Sequence, residues 1–435
     1  MIRVQTASRL HFGLLNFGTE KDWRKYGGAG LMVEKPGIIL ELSPANTWSA
    51  AGPLAARALA FARMFLDTLP TDKVQPQYIH IQQAPAEHIG LGTGTQLALA
   101  VASALVRLIG MDEMPVAQLA QCLRRGQRSA VGIHGFAQGG FLVDGGKPEL
   151  ESLAPLLARA DFPQDWRIVL VMPPWGQGRH GNAENAAFAK LRVTAIPNTT
   201  DLLCRLALQG ILPALKEGDF QSFGEALFEF NRRVGENFAP IQGGTYSCRQ
   251  TSELVAWLRR QGIRGAGQSS WGPGVFAVAP DESHAEALAE SIPTQFGFHD
   301  EVLVTAAQNH GALIARHDYC AQSKKSKAVS KPPHSKLHKK HPGAMTITIQ
   351  LPAVLRSCCA GASELALTAP SVRAALEQIA RSQPELYRSI CDETGALRRH
   401  INLFVNTAHV RDREGIDTAL VPGDVLTIMP AVSGG

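Results

Sequence analysis

The chain has 435 residues, 45% of them hydrophobic and 19% charged, with a formal net charge of +5. That length exceeds a single compact core and predicts two or three domains, while the apolar content excludes a wholly disordered chain. No run approaches the ~20 apolar residues that span a bilayer, the Met1-Ile2-Arg3 start is not a signal peptide, and seven cysteines without a CxxC pair suit neither a disulfide framework nor a zinc site, so a cytoplasmic protein is expected.

In chain order, Val33–Leu42 reads as a strand, and Thr95–Ile109 as an apolar helix that starts straight after a glycine-rich turn. Trp166–Met172 is a further strand. Asp219–Val234 carries Phe220, Phe223, Leu227 and Phe230 at helical spacing, with Asp219 as N-cap and Gly235 as the expected stop. Ser252–Arg260 reads as a helix ended by Gly262. Val275–Ala279, a helix from Ser283, and Glu301–Ala306 repeat a strand–helix–strand pattern, giving an α+β layout over residues 1–322, divided near 160. Residues 323–344 hold seven lysines, no acid, three prolines and three histidines, which predicts a solvated tether. The net basic charge belongs to this stretch, so no specific nucleic-acid or membrane partner is expected.

Met345 follows the tether and opens strands at 346–351 and 364–368, a helix Ser371–Gln383, and strands at 401–405 and 425–429. Ser371 caps a helix that keeps Val372, Leu376 and Ile379 on one side. One helix on a small mixed sheet is a β-grasp pattern, so residues 345–435 read as a separate domain.

The turn Pro85-x-x-x-x-Gly90-Leu91-Gly92-Thr93-Gly94-Thr95 leads directly into its helix. Glycines let a ligand approach the backbone, and a helix N-terminus offers free N–H groups, so phosphate is the natural guest. A tight turn packing helix on sheet remains the alternative. The turn is neither a Walker loop nor a dinucleotide fingerprint. It resembles the phosphate loop of the GHMP kinase superfamily. With Ser8-Arg9-Leu10-His11-Phe12-Gly13, Arg125–Gly132, Gly139–Gly146 and Gly267–Pro273, the first 315 or so residues are most similar to the β-ribofuranosylaminobenzene 5′-phosphate synthases of that superfamily.

The resemblance implies a GHMP-kinase-like two-layer α/β unit and the committed step of methanopterin-type cofactor synthesis. There, 4-aminobenzoate or its hydroxy analogue and phosphoribosyl pyrophosphate give an aryl C-riboside phosphate, CO2 and pyrophosphate. Superfamily kinases carry an aspartate base where Val131-Gly132-Ile133-His134 places His134, and a synthase losing pyrophosphate from ribose C1 needs no such base. The implied site contains Ser8, Gly90, Gly92, Thr93, Gly94 and Thr95 for phosphate, and Arg9, Arg125 and Arg128 for phosphate or carboxylate. His11 would give a proton or hydrogen bond to departing pyrophosphate, Ser269 and Ser270 would bind phosphate, and Trp271 would stack on the aryl ring. Ordinary ion pairing for the arginines, and packing for His11 and Trp271, are the competing readings. Pyrophosphate as leaving group implies Mg2+, with Asp144 and Glu184 as ligands and Arg179-His180 as added anion contacts. A homodimer is expected.

The end of the chain, Leu420-Val421-Pro422-Gly423-Asp424 through Ser433-Gly434-Gly435, resembles the terminus of ubiquitin-like sulfur carriers, and Cys391–Arg398 resembles their cysteine-pathway branch. That implies a small β-grasp (ubiquitin-like) domain whose Gly435 carboxylate is adenylated by a ubiquitin-activating-type enzyme and becomes a thiocarboxylate that passes sulfur from a donor to an acceptor. Two terminal glycines present no side chain to obstruct threading into a narrow site. The competing readings are a small-molecule ATP kinase and a non-catalytic ligand-binding or sulfur-delivery protein.

Overall fold

The structure, a computed structural model, describes residues 1–316 except 18–22, 70–73, 112–113, 150–151, 176–190, 192–195, 197 and 299–300. It describes residues 346–435 except 352–354, 356–358, 360–363, 392–396, 399–400, 407, 411–413, 422–423 and 431–435. The tether 323–344, Met345, Arg179, His180, Glu184, Cys358, Pro422-Gly423 and the terminal Gly434-Gly435 therefore lie outside the described residues. The chain forms two compact units, Met1–Ser323 and Lys324–Gly435.

In the first unit the strands are β1 (Ile2–Leu14), β2 (Gly28–Pro44), β3 (Ser49–Ala51), β4 (Gln77–Gln83), β5 (Phe141–Asp144), β6 (Leu156–Ala160), β7 (Arg167–Val171), β8 (Ala266–Gln268), β9 (Val275–Ala279), β10 (Val302–Thr305) and β11 (Leu313–Arg316). One sheet runs β11-β1-β2-β4-β3, with β5 paired to the other end of β2 and β6 to β5; a second runs β10-β7-β9-β8. The strand expected at Val33–Leu42 is longer, because the small and apolar run from Gly28 keeps pairing with β1 and β5. The register of β1 slips between His11 and Gly13, a bulge of the kind that re-aims side chains beside a site. β11 returns to the free edge of β1, so residues 161–322 are not a closed lobe of their own.

Helices α1 (Ala55–Leu66) and α2 (Thr93–Ile109) share a core with the apolar residues of the first sheet, and α2 is buried without a break from Gln96 to Val106. After the short α3 (Val116–Cys122) and α4 (Val131–Gln138), a helical run from Thr199 to Glu217 contains α5 (Thr199–Arg205), a π-turn and α6 (Leu212–Glu217). It leads into α7 (Phe220–Gln242), followed by α8 (Arg249–Arg260) and α9 (Glu282–Phe296). Phe223, Leu227 and Phe230 of α7 join Phe12, Phe141 and Phe276 in one cluster that spans both sheets, with Phe12 and Phe276 edge-to-face at 4.9 Å. Each such ring contributes roughly 1.5–3 kcal/mol by burial.

Asp219 caps α7 as expected, accepting from the Ser222 N–H at 3.0 Å. Gly235 does not stop it. The helix runs on to Gly243, and Gly235 lies inside because a Cβ there would fall 2.2 Å from the Thr245 carbonyl oxygen. That glycine serves close approach rather than termination.

The second unit contains β12 (Thr346–Gln350), β13 (Glu364–Thr368), α10 (Val372–Ser382), α11 (Pro384–Ile390), β14 (Ile401–Val405), β15 (Ala408–His409) and β16 (Val425–Pro430). Its sheet runs β13-β12-β16-β14-β15, with the parallel β12–β16 pair at the centre. Ser371 caps α10 through the Ala374 N–H, and Val372, Leu376 and Ile379 enter the core. The short helix α11, with Pro384 in its first turn, adds a second helix to the single one expected. Cys359 and Cys391 are buried.

Candidate active site

The end of β1, the start of α2, the loop 124–129, the inner face of α7 and the turn 268–271 enclose a cavity of about 410 Å3 in the first unit. Arg9, Arg124, Arg125 and Arg128 line it, and no carboxylate does among the described residues. Four guanidinium groups without a lining acid make a site for an anion carrying several charges.

The glycine turn and Arg9 are built around each other. Gly92, with φ 69°, is the N-cap of α2, and a Cβ there would stand 3.1 Å from Arg9 Nε. The Arg9 N–H donates to the Leu91 carbonyl at 2.9 Å, tying turn to strand. Of the turn, only Thr95 lines the cavity. Thr93 gives its hydroxyl to the Ala86 carbonyl at 3.1 Å, and a Cβ at Gly94 would meet Arg57, which pairs with Glu87. Arg125 lies over the Phe61 ring at 4.7 Å, and burial, then the Arg57 charge, bring its pKa down to about 10. It is still a cation at neutral pH, and its buried Nε has no hydrogen-bond partner among the described residues.

His11 is 7% exposed, and its Nε2 likewise lacks a partner among the described residues. Gly28 leaves room for the ring, since a Cβ there would lie 2.8 Å from His11 Nε2. Burial, then the Arg9 charge, hold the imidazole well below its ordinary pKa. Of the proton or hydrogen bond expected from His11, this setting disfavours the protonated ring and favours the N–H hydrogen bond of a neutral one.

Three expected ligand contacts are structural instead. Ser8 is buried and gives its hydroxyl to the Pro36 carbonyl, away from the cavity lining. The Ser269 hydroxyl donates to the Gly90 carbonyl at 2.7 Å and accepts the His11 N–H at 3.0 Å. Asp144 is fully buried; its Oδ2 accepts from the Ser129 hydroxyl (2.7 Å) and the N–H groups of Ala130 (2.8 Å) and Val131 (3.2 Å), and its Oδ1 from Gly146 N–H (3.1 Å). Burial pushes its carboxyl up against the pull of those bonds. A carboxylate so engaged caps α4 and holds the end of the arginine loop, and it does not face the cavity as a Mg2+ ligand must. No group of three or more His, Cys, Asp or Glu side chains that could hold a metal occurs among the described residues. His134 lies on α4 with Nε2 at 2.8 Å from the Ala154 carbonyl, and it is not among the cavity-lining residues.

Ser270 and Trp271 do line the cavity. Trp271 packs against Phe238 of α7 with ring centroids 4.4 Å apart. Together with Gln242 and Tyr246 they form a largely aromatic wall, of which the sequence indicates Trp271 but not Phe238, Gln242 or Tyr246. The Tyr246 hydroxyl is buried without a partner among the described residues, and burial pushes its pKa up to about 12. Asn231 was also missed: its Nδ2 donates to the Phe12 and Gln268 carbonyls at 2.7 and 2.9 Å, and its Oδ1 accepts the Gln268 N–H at 3.0 Å. The available signal was an amide directly following the Phe stripe. Arg124 was legible as the neighbour of Arg125.

The first unit has the fold of the GHMP kinases, with an arginine-lined cavity, and is followed by a β-grasp unit. Residues 211–297 match the GHMP kinases C terminal family and residues 349–435 the ThiS family. Two solved structures share the fold of the first unit: homoserine kinase from Cytophaga hutchinsonii (TM-score 0.51, 16% identity, 72% of this chain and 97% of that one) and mevalonate diphosphate decarboxylase from Staphylococcus aureus (TM-score 0.51, 14% identity, 73% and 99%). Over 72% of its length the chain is 28% identical to the β-ribofuranosylphenol 5′-phosphate synthase of Methanothermobacter thermautotrophicus and 29% identical to that of Archaeoglobus fulgidus, covering 98% and 99% of those proteins. A further 21% is 30% identical to the whole of the sulfur carrier protein CysO of Mycobacterium tuberculosis. Through this last region the chain belongs to the ThiS family of sulfur carriers, here joined behind a unit similar to β-ribofuranosylphenol 5′-phosphate synthases. No helix among the described residues is long and apolar enough to cross a membrane.

Proposed function

We propose that the first unit transfers a phosphoribosyl group from phosphoribosyl pyrophosphate to a 4-substituted benzoate, with release of CO2 and pyrophosphate. The observation that carries this reading is one cavity with four arginines, no described acid in its lining, and an aromatic wall. The arginines hold the 5′-phosphate and pyrophosphate, and their positive charge stabilises pyrophosphate as it leaves C1 with the bonding pair. The neutral His11 supplies a hydrogen bond to the anion. The aryl ring lies on the Phe238–Trp271 side, with its carboxyl-bearing carbon toward ribose C1. That carbon bonds to C1, the para substituent delocalises the resulting charge, and loss of CO2 returns the electron pair to the ring. No proton needs to be removed by the protein. Mg2+ would supply counter-charge for the leaving pyrophosphate; of its two expected ligands, Asp144 does not line the cavity and Glu184 lies outside the described residues.

The test is incubation of the full chain with phosphoribosyl pyrophosphate, Mg2+ and carboxyl-labelled 4-hydroxybenzoate or 4-aminobenzoate. Label should appear as CO2 with the native chain and fall at least about 100-fold in Gly92→Asp, which places a side chain and a negative charge against Arg9. Release no greater than that variant's overturns the reading.

For the second unit, the reading is a carrier whose Gly435 carboxylate is adenylated and then becomes a thiocarboxylate. Support comes from the β-grasp sheet and the ThiS and CysO similarities. Incubation with a ubiquitin-activating-type enzyme, ATP and a sulfur donor should add about 16 Da to the intact mass, as oxygen is replaced by sulfur. An unchanged mass overturns it.

A further inference from the structure

The last residue of α7 carries a polar atom that neither the fold nor the anion site uses. Gln242 lines the cavity, four residues after Phe238 and so on the same face of the helix. Its Nε2 donates to the Thr245 carbonyl at 2.8 Å. That bond fixes which end of the amide is which, because the flipped amide would set two acceptor oxygens against each other. Oε1 is therefore the atom of the amide that the fold leaves over, and it is buried without a hydrogen-bond partner among the described residues. A buried acceptor without a donor is costly to leave unmade, and a ligand that brings the donor recovers that cost.

We propose that Gln242 reads the para position of the aryl acid, its Oε1 accepting a hydrogen bond from a para hydroxyl or amino group on a ring seated against Phe238 and Trp271. The inference rests on the phosphoribosyl-transfer reading for the orientation of the acid. With the carboxyl-bearing carbon toward ribose C1 and the arginines, the para substituent points to the opposite end of the ring. When the ring carbon bonds to C1, positive charge spreads to the para oxygen or nitrogen and its hydrogen becomes more acidic. The bond to Oε1 then strengthens as the carbon–carbon bond forms and relaxes once CO2 has left. Gln242 so acts on rate as well as binding, and the proton stays on the substrate throughout.

The probe is 4-fluorobenzoate, which matches the hydroxy acid in size and has no hydrogen to donate. Calorimetric titration of the full-length chain should show 4-hydroxybenzoate binding at least about tenfold more tightly than 4-fluorobenzoate. In Gln242→Met, which keeps the length and removes the acceptor, the two acids should bind within about threefold of each other. In turnover the same variant should lower kcat for 4-hydroxybenzoate more than it raises KM, a split that loosened packing would not give. Equal binding of the two acids by the native chain, or no binding of either, overturns the inference without any variant. An undiminished preference in Gln242→Met also overturns it. Selective binding without CO2 release would instead overturn the transfer reading and leave the para contact standing.

Discussion

The arginine loop and the aromatic wall border one cavity, yet their buried polar groups are in opposite states. The loop's backbone is braced, since Lys147 Nζ donates to the Gly126 carbonyl at 2.8 Å and Asp144 receives the Ser129 hydroxyl and the N–H groups of Ala130 and Val131, and what the loop leaves without a partner among the described residues is a donor, Arg125 Nε. On the wall, Gln242 Oε1 and the Tyr246 hydroxyl have no partner among the described residues. The fold thus leaves a cationic donor open at the arginine loop and an acceptor open at the wall. Pre-organised charge stabilisation needs the first condition, and discrimination between similar acids is helped by the second.

The contrast is broken most forcefully at Asp144. Asp144→Ala removes four hydrogen bonds and leaves buried N–H groups unmatched, which should cost at least about 3 kcal/mol of stability. All six tryptophans lie before residue 272, so denaturation followed by indole fluorescence reports on the first unit alone. A loss under about 1 kcal/mol would show that the brace does not hold the loop.

His11 gives the next effect, and its sign follows from the depressed pKa. The unfolded chain takes up a proton at His11 near pH ~6.5, and the folded chain does so only at lower pH. Stability from the neutral ring is complete above that pH and is lost as the pH falls toward the folded-state value, by at most about 1.4 kcal/mol per pH unit. His11→Gln should flatten this slope between native and variant melting curves, whereas parallel curves would mean that the ring protonates equally in both states. The smallest effect belongs to Ser8. Ser8→Ala should cost about 1 kcal/mol through the lost bond to Pro36 and leave kcat/KM unchanged, because its hydroxyl is already spent. A fall of more than about threefold in kcat/KM would return Ser8 to the binding site.

What the sequence disclosed divides along similar lines. Local signals were legible: the Phe stripe and Asp219 cap of α7, the Ser371 cap of α10, and the glycine turn before α2 depend on residues within a few positions of one another. The fates of Ser8, Ser269 and Asp144 were not legible. Their partners lie 28, 179 and up to 15 residues away, and only the folded chain decides whether a hydroxyl or carboxylate faces a ligand or a carbonyl. Gly235 misled for the same reason. A glycine that ends a helix and a glycine that admits a neighbour's carbonyl look alike until Thr245 is in place. The motifs do converge in space, since Arg9, His11, Arg125, Arg128, Ser270 and Trp271 all line one cavity, but they contain nothing about the wall supplied by α7.

The Ser269 hydroxyl has a practical consequence for anyone wishing to change which ligands the cavity accepts. Its two hydrogen bonds join the glycine turn at Gly90 to the backbone of His11, within a turn that also carries Trp271. Positions 11, 90 and 271 are thereby neighbours in one rigid assembly, although the chain separates them by as many as 260 residues. Substitutions there should combine non-additively. A library that varies the indole position alone would sample mostly broken assemblies, whereas one that varies the three sites together would search the altered pockets this scaffold can support.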